Sequence, residues 1–151
     1  MGATAALRIA PMSAAVIRQV ELLEDRLLQM PQAPIGTAHL IHAGMYARTI
    51  LIPAGVMLTG ALIKRATVLI VSGDADIITN DGPGRLTGYH VVPASANRKQ
   101  AFYARSDTHL TMIFPTEAKT LPDAENEFTD EAVLLMSRAN PDGDTVVITG
   151  E

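Results

Sequence analysis

The amino-acid sequence predicts a mainly β protein, an antiparallel sandwich or barrel, preceded by an amphipathic helix and followed by a short helix and a terminal strand. Three observations carry that reading. From residue 39 to residue 114 the chain runs in short β-branched stretches broken by Gly, Pro, Asn and Asp, with no helical pattern between them. Residues 13–30 instead repeat apolar side chains at helical spacing. Thr145-Val146-Val147-Ile148-Thr149 is a compact β-branched run standing apart from the rest.

Each element follows from its residues. Ser13 is placed to cap the helix, and Val16, Val20, Leu23 and Leu27 recur at spacings of four, three and four. Ile17, Leu28 and Met30 broaden the stripe, Arg18, Glu21, Glu24, Asp25 and Arg26 cover the opposite face, and Pro31 and Pro34 stop the helix. Such a helix must lay its apolar side on something, either its own barrel or a neighbouring subunit. The expected strands are 45–52, 56–63, 66–72, 74–79, 85–92, 99–105 and 108–114. Asn80-Asp81-Gly82-Pro83-Gly84 is a turn, since Asn and Asp tolerate positive φ and Gly adopts it freely. After Phe114-Pro115, Thr120 caps a short turn with Asp123 as its capping-box partner, and a helix is expected around 129–138. Asn140-Pro141-Asp142-Gly143 turns the chain into the terminal strand, which can pair with its own sheet or with the edge of another chain. One globular domain results, with an N-terminal arm and helix over 1–36, a barrel over 37–116 and a C-terminal helix and tail over 117–151.

Composition narrows the function classes. In 151 residues, 48% hydrophobic content and a net charge of -4 fit a globular protein and argue against a nucleic-acid partner, which demands a clustered basic face. The adjacent basic pairs Lys64-Arg65 and Arg98-Lys99 read as solvated pairs at loops or strand ends. With no Cys, disulfides, thiolate catalysis and thiolate metal sites are all removed. Met1 to Ala10, interrupted by Arg8, does not read as a secretory segment, and no apolar run approaches the roughly eighteen residues of a membrane helix. No membrane partner is expected.

The chemistry-bearing side chains are sparse. His39 and His42 point to opposite sides of an extended chain, whereas His90 and His109 lie on separate strands and could meet across a barrel. Ser72 sits in Val-Ser-Gly-Asp, outside a nucleophile elbow, and Asp74 and Asp76 share one strand face, read as solvated. Tyr46, Tyr89, Phe102 and Tyr103 are the aromatics available to line a binding site, and there is no Trp.

The stretch from His39 to Thr116 resembles a group of small cupin-like, jelly-roll proteins encoded by bacteriophages and prophages. The residues that carry the resemblance are His39 with Gly44, Tyr46 and Arg48, then Pro53-Ala54-Gly55 and Gly60, Ser72-Gly73, Asp81-Gly82, Pro93, and Tyr103 with Asp107-Thr108. The resemblance implies an antiparallel jelly-roll or cupin-like barrel. It also implies where metal ligands would stand, and these positions hold Ile63, Thr67 and Arg98 instead of histidines. No cofactor and no metal are therefore expected, because a cation needs imidazole, thiolate or carboxylate donors and a guanidinium repels it.

The function expected from this reading is a non-catalytic structural protein of a phage particle, decorating or cementing a capsid or serving as a tail accessory. It would assemble as a homo-oligomer, and with other virion proteins, through Val16, Val20, Leu23 and Leu27 of the helix and Val146, Val147 and Ile148 of the terminal strand. Its location would be the virion, assembled in the host cytoplasm, or the cytoplasm if the protein is not of phage origin. The alternatives are a small-molecule or sugar-binding module and a metal-independent enzyme, using a barrel pocket with Tyr46, His90, Arg98 and His109.

Overall fold

The computed structural model describes residues 7–151, and residues 1–6 of the expected N-terminal arm lie outside the described residues. Helix α1 spans Ala14–Leu27, and the Ser13 side chain accepts from the Val16 amide at its start. Val20 is 2% exposed, packed with Met12 and Ala101, while Val16, Ile17, Leu23 and Ile78 flank them. The apolar stripe therefore lies on the protein's own body. Of the two surfaces the stripe can lie on, its own body takes Val20, with Val16 and Leu23 partly buried beside it. The segment before the helix is equally committed. Ile9 is buried in the main core, its amide donates to the Pro93 carbonyl and its carbonyl accepts from the Ser95 amide.

The strands are β1 Thr37–His42, β2 Met45–Ile52, β3 Met57–Thr59, β4 Thr67–Thr79, β5 Gly82–Ala94, β6 Ala101–Ala104, β7 Thr108–Pro115 and β8 Thr145–Ile148. They form one curled eight-stranded sheet in the order β3-β6-β4-β7-β2-β1-β8, with β5 on the far side of β4. Every pair is antiparallel except β8, which joins β1 in parallel. The terminal strand thus pairs with its own sheet. Pro83 and Pro93 are tolerated in β5 because, among the described residues, β4 is the one strand paired with it, and on its other side Ile9 needs only the Pro93 carbonyl, not an N–H from proline.

Gly73 explains the curl. Its φ is +149°, and a Cβ there would stand 2.5 Å from Thr108 Oγ1 and 2.7 Å from the Asp107 carbonyl oxygen. Without a side chain at this point, the corner between β6 and β7 seats against β4. Residues 68–72 of β4 then pair with β7 and residues 75–77 with β6. The two expected strands 66–72 and 74–79 are one strand bent at this glycine.

The C-terminal region departs most from expectation. The helix there is α2, Leu121–Phe128, capped by Thr120, whose hydroxyl accepts from the Asp123 amide. The expected 129–138 helix does not form: Thr129 is extended, Ala132–Leu134 is a single 3-10 turn and α3 covers only Met136–Ala139. Phe128, Ala132 and Leu135 dock with Tyr46, Phe114 and Ala124 in a second core cluster, so burial of these anchors sets the chain path instead of helical continuity. No helix among the described residues is long and apolar enough to cross a membrane.

Because Ile9 is fully enclosed, Ile9→Ala is expected to cost about 2–5 kcal/mol of stability. Urea unfolding checks this, and an unchanged midpoint would mean that the N-terminal segment lies outside the cooperative core.

Candidate functional site

Period-two alternation sends one set of side chains to the inside of the curl. Arg48 pairs with Met112, Ile50 with Leu110, and Leu69 with Met112, so these residues share the inner face. Together with Phe102 of β6 they wall a cavity of about 340 Å³, whose lining also takes in Leu27 of α1, Leu28 just after it, and Leu134–Met136. That volume falls within the usual range for small-molecule sites.

Three successive polar groups of the cavity come from the irregular segment between β5 and β6. Asn97 adopts a positive φ of 64°, and the chain beside it bridges Ile63 to Arg98 through backbone hydrogen bonds. Freed from strand alternation, Arg98, Lys99 and Gln100 are all buried and all line the cavity. This corrects the reading of Arg98-Lys99 as a solvated pair. Arg98 is 2% exposed; Nη1 donates to the Ser95 carbonyl at 2.7 Å and to the Arg65 carbonyl at 3.4 Å, Nη2 to Thr67 Oγ1 at 2.8 Å and Nε to Gln100 Oε1 at 3.3 Å. All four acceptors are neutral, and burial pushes the guanidinium down to about 10. Lys99 differs, since its Nζ lies 3.1 Å from Glu24 and 3.5 Å from Glu131. It ties α1 and the C-terminal segment to the same ammonium beside the cavity.

Tyr46 is 0% exposed and belongs to a polar network under the C-terminal helices. Its hydroxyl lies 2.7 Å from His39 Nδ1 and accepts from Arg48 Nη1 at 3.4 Å. The tyrosine proton then goes to Nδ1, its one remaining buried acceptor, which leaves the imidazole proton on Nε2 facing Asp144 Oδ2 at 3.5 Å. That separation lacks hydrogen-bond geometry, and Nε2 stays without a partner. Asp144 Oδ1 accepts from the Thr37 amide, while Glu125 accepts from Arg48, Ser137 and Arg138. Burial pushes the Tyr46 phenol up to about 12. Burial and then the Arg48 charge hold His39 below its ordinary value, against the opposing pull of Asp144.

Of the residues expected to share a pocket, only Arg98 lines the cavity, with Tyr46 joined to its wall through Arg48. His90 and His109 do not meet. His109 and Tyr89 both pair with Ser72, whereas His90 pairs with Val71, so the two histidines occupy opposite faces of the sheet. Asp74 takes a bidentate pair from Arg85 at 2.7 and 2.8 Å, which holds its carboxyl below the usual range, and Asp76 pairs with Arg105. The aromatics also separate, with Tyr46 and Phe102 buried and Tyr89 and Tyr103 exposed.

The positions at which the resemblance places metal ligands do come together: Ile63 bridges Arg98, and Thr67 accepts from Arg98. Their side chains do not suit a cation, since Arg98 contributes a positive charge and Ile63 no donor atom. Among the described residues no group of three His, Asp or Glu side chains is arranged to hold a metal ion. Gln100, Lys99, Glu24 and Glu131 were not marked by the sequence, because only the irregular backbone turns successive polar residues inward.

No protein-family model matches the chain, and no curated protein matches it. Its structural neighbours are cupin-fold proteins. A cupin 2 conserved barrel domain protein from Leptotrichia buccalis is 15% identical over 60% of this chain and 44% of that one, with a TM-score of 0.44. The salicylate 1,2-dioxygenase from Pseudoaminobacter salicylatoxidans is 15% identical over 66% of this chain and 30% of that one, with a TM-score of 0.46. Ectoine synthase from P. lautus is 20% identical over 57% of this chain and 67% of that one, with a TM-score of 0.44. The match thus spans less than half the length of the first two.

The buried histidine makes stability depend on pH. In the unfolded chain His39 titrates near 6.5, and in the folded protein it keeps its neutral form to lower pH. Stability from this site is full above that value and declines below it, where only the unfolded state takes up the proton. The urea midpoint is expected to fall between about pH 7.5 and about pH 5.5, and His39→Gln to remove that part of the fall. An identical pH dependence in the variant would assign it to other groups.

Proposed function

We propose that this protein is a non-catalytic small-molecule-binding barrel. The observation that carries the reading is the cavity of about 340 Å³, with apolar strand walls and a few convergent buried polar groups, Arg98 and Gln100 among them. Sites that hold small ligands combine an apolar enclosure with a small number of placed polar side chains. His90, His109, Asp74 and Asp76, the residues the sequence offered for acid–base work, all lie outside the cavity lining, and the Glu24 and Glu131 carboxylates that do line it are paired with Lys99. A ligand at a hundredfold excess over its Kd stabilises by about 2.7 kcal/mol, which raises Tm by about 5–10 °C in a domain of this size. Thermal-shift screening of a small-molecule panel is expected to find such a compound, and Leu110→Trp, which fills the cavity, to abolish its effect. A hit that survives Leu110→Trp would place binding elsewhere.

A second reading, assembly into a particle, is favoured by the outer face of the sheet. Register aligns Val147, Leu40, Ala47, Ile113, Val68 and Pro93 in one row and Thr145, Ala38, Thr49, Thr111, Ile70 and Val91 in the next. A third row holds Leu51, His109, Ser72 and Tyr89. No Asp, Glu, Lys or Arg stands in these rows, and Leu40, Val68, Tyr89, Val91 and Val147 are exposed. A solvated sheet face normally alternates polar side chains outward, so an uncharged one fits a face-to-face packing with a second copy. The likeness to phage-encoded proteins makes a virion the first assembly in which to seek the chain. Sedimentation is expected to show a homo-oligomer that Val91→Arg dissociates, and a monomeric wild-type chain missing from purified particles would end this reading.

A further inference from the structure

We infer that the cavity takes the carboxylate of an apolar monoacid, with Arg98 supplying the charge and Gln100 a second donor. The inference rests on the small-molecule reading and names its ligand class. Arg98 is almost wholly enclosed, yet none of its hydrogen-bond acceptors is a carboxylate. Enclosed charges are ordinarily paired, so this guanidinium stands without the anion that its burial calls for. Nη2 has two N–H groups and a single acceptor, Thr67 Oγ1, so one remains to give.

Gln100 supplies the independent observation. Its Oε1 is occupied by Arg98 Nε–H, which fixes the amide orientation, and the Nε2 that remains is buried with no acceptor. Gln100 is 6% exposed and lines the cavity beside Arg98. Arg98, with its uncompensated charge, and Gln100, with its unpartnered amide, therefore line a space whose apolar wall is Ile50, Leu69, Phe102, Leu110 and Met112. A planar carboxylate accepts from both groups at once and satisfies the charge.

The charge count also selects among anions. Lys99 is engaged by Glu24 and Glu131, two carboxylates against one ammonium, so its charge is already compensated within the protein. Arg48 is engaged by Glu125. Among the described residues that line the cavity, Arg98 is the cation with no carboxylate partner, since Arg48 shares Glu125 with Arg138 and Lys99 has Glu24 and Glu131; a lone unpaired guanidinium matches a monoanion better than a phosphate dianion. The long apolar wall calls for a hydrocarbon or aromatic body behind the head group.

The test is calorimetric titration of the full chain with matched probes: octanoate against octanamide, benzoate against benzamide, and phenyl phosphate as the dianion. Wild type is expected to bind the carboxylate of at least one pair about tenfold or more tighter than its amide, and tighter than the phosphate. Arg98→Met is expected to erase the preference. Because that variant removes several structural hydrogen bonds, Gln100→Leu is measured beside it, with circular dichroism confirming the fold. It is expected to weaken the carboxylate severalfold and to leave the amide unchanged. Amides binding as tightly as carboxylates, or a preference that survives Gln100→Leu intact, would overturn the carboxylate assignment and leave the small-molecule reading standing. Failure of every probe, neutral or charged, would overturn both.

Discussion

A guanidinium enclosed in the middle of the molecule governs the arrangement around it. Arg98 reaches the Ser95 carbonyl after β5, Thr67 at the start of β4, the Arg65 carbonyl in the loop before it, and Gln100 ahead of β6. These segments are distant in the sequence, and a charge removed from water accepts nothing less than a nearly full shell of acceptors. The Ile63–Arg98 bridge and the left-handed Asn97 are the backbone consequences of supplying that shell. Arg98 also lines the cavity.

Polar contacts join the apolar anchors Phe128, Ala132 and Leu135 in fixing the geometry of the C-terminal region. Glu125 draws Arg48, Arg138 and Ser137 to one carboxylate, while Lys99 draws Glu24 and Glu131 to one ammonium. The two centres have opposite sign and the same logic, a buried charge shared by elements that would otherwise meet only loosely. Such centres fix geometry more than they add stability, since desolvation offsets much of the attraction. Deleting one partner leaves the other stranded, so the network tolerates little piecemeal change.

Much of the scaffold was legible from residue pattern alone. The helix stripe at Val16, Val20 and Leu23 and the β-branched runs that became β2 and β7 appear where alternation and capping place them. Other features were hidden for physical reasons. Strand β1 is hard to read because its hairpin turns through Ala43 and Gly44, both at positive φ, and alanine carries none of the turn signal that asparagine would. Gly73 looked like a strand boundary and is a bend within one strand. The cavity was least legible of all: nothing in Arg98-Lys99-Gln100 as a string announces burial, which depends on a positive-φ residue and a long-range bridge. Register, invisible in a single sequence, is what parted His90 from His109.

The parallel seat of β8 on β1 bears on how the chain reaches this state. Contacts such as Thr37 to Asp144 join residues 107 positions apart, so the loop between them must close before the pairing returns any energy. Until β8 arrives, the β1 edge offers unpaired amides and carbonyls to any passing strand. The last pairing of the sheet therefore serves as a guard as well as a brace: it occupies the template on which two half-folded chains would otherwise join.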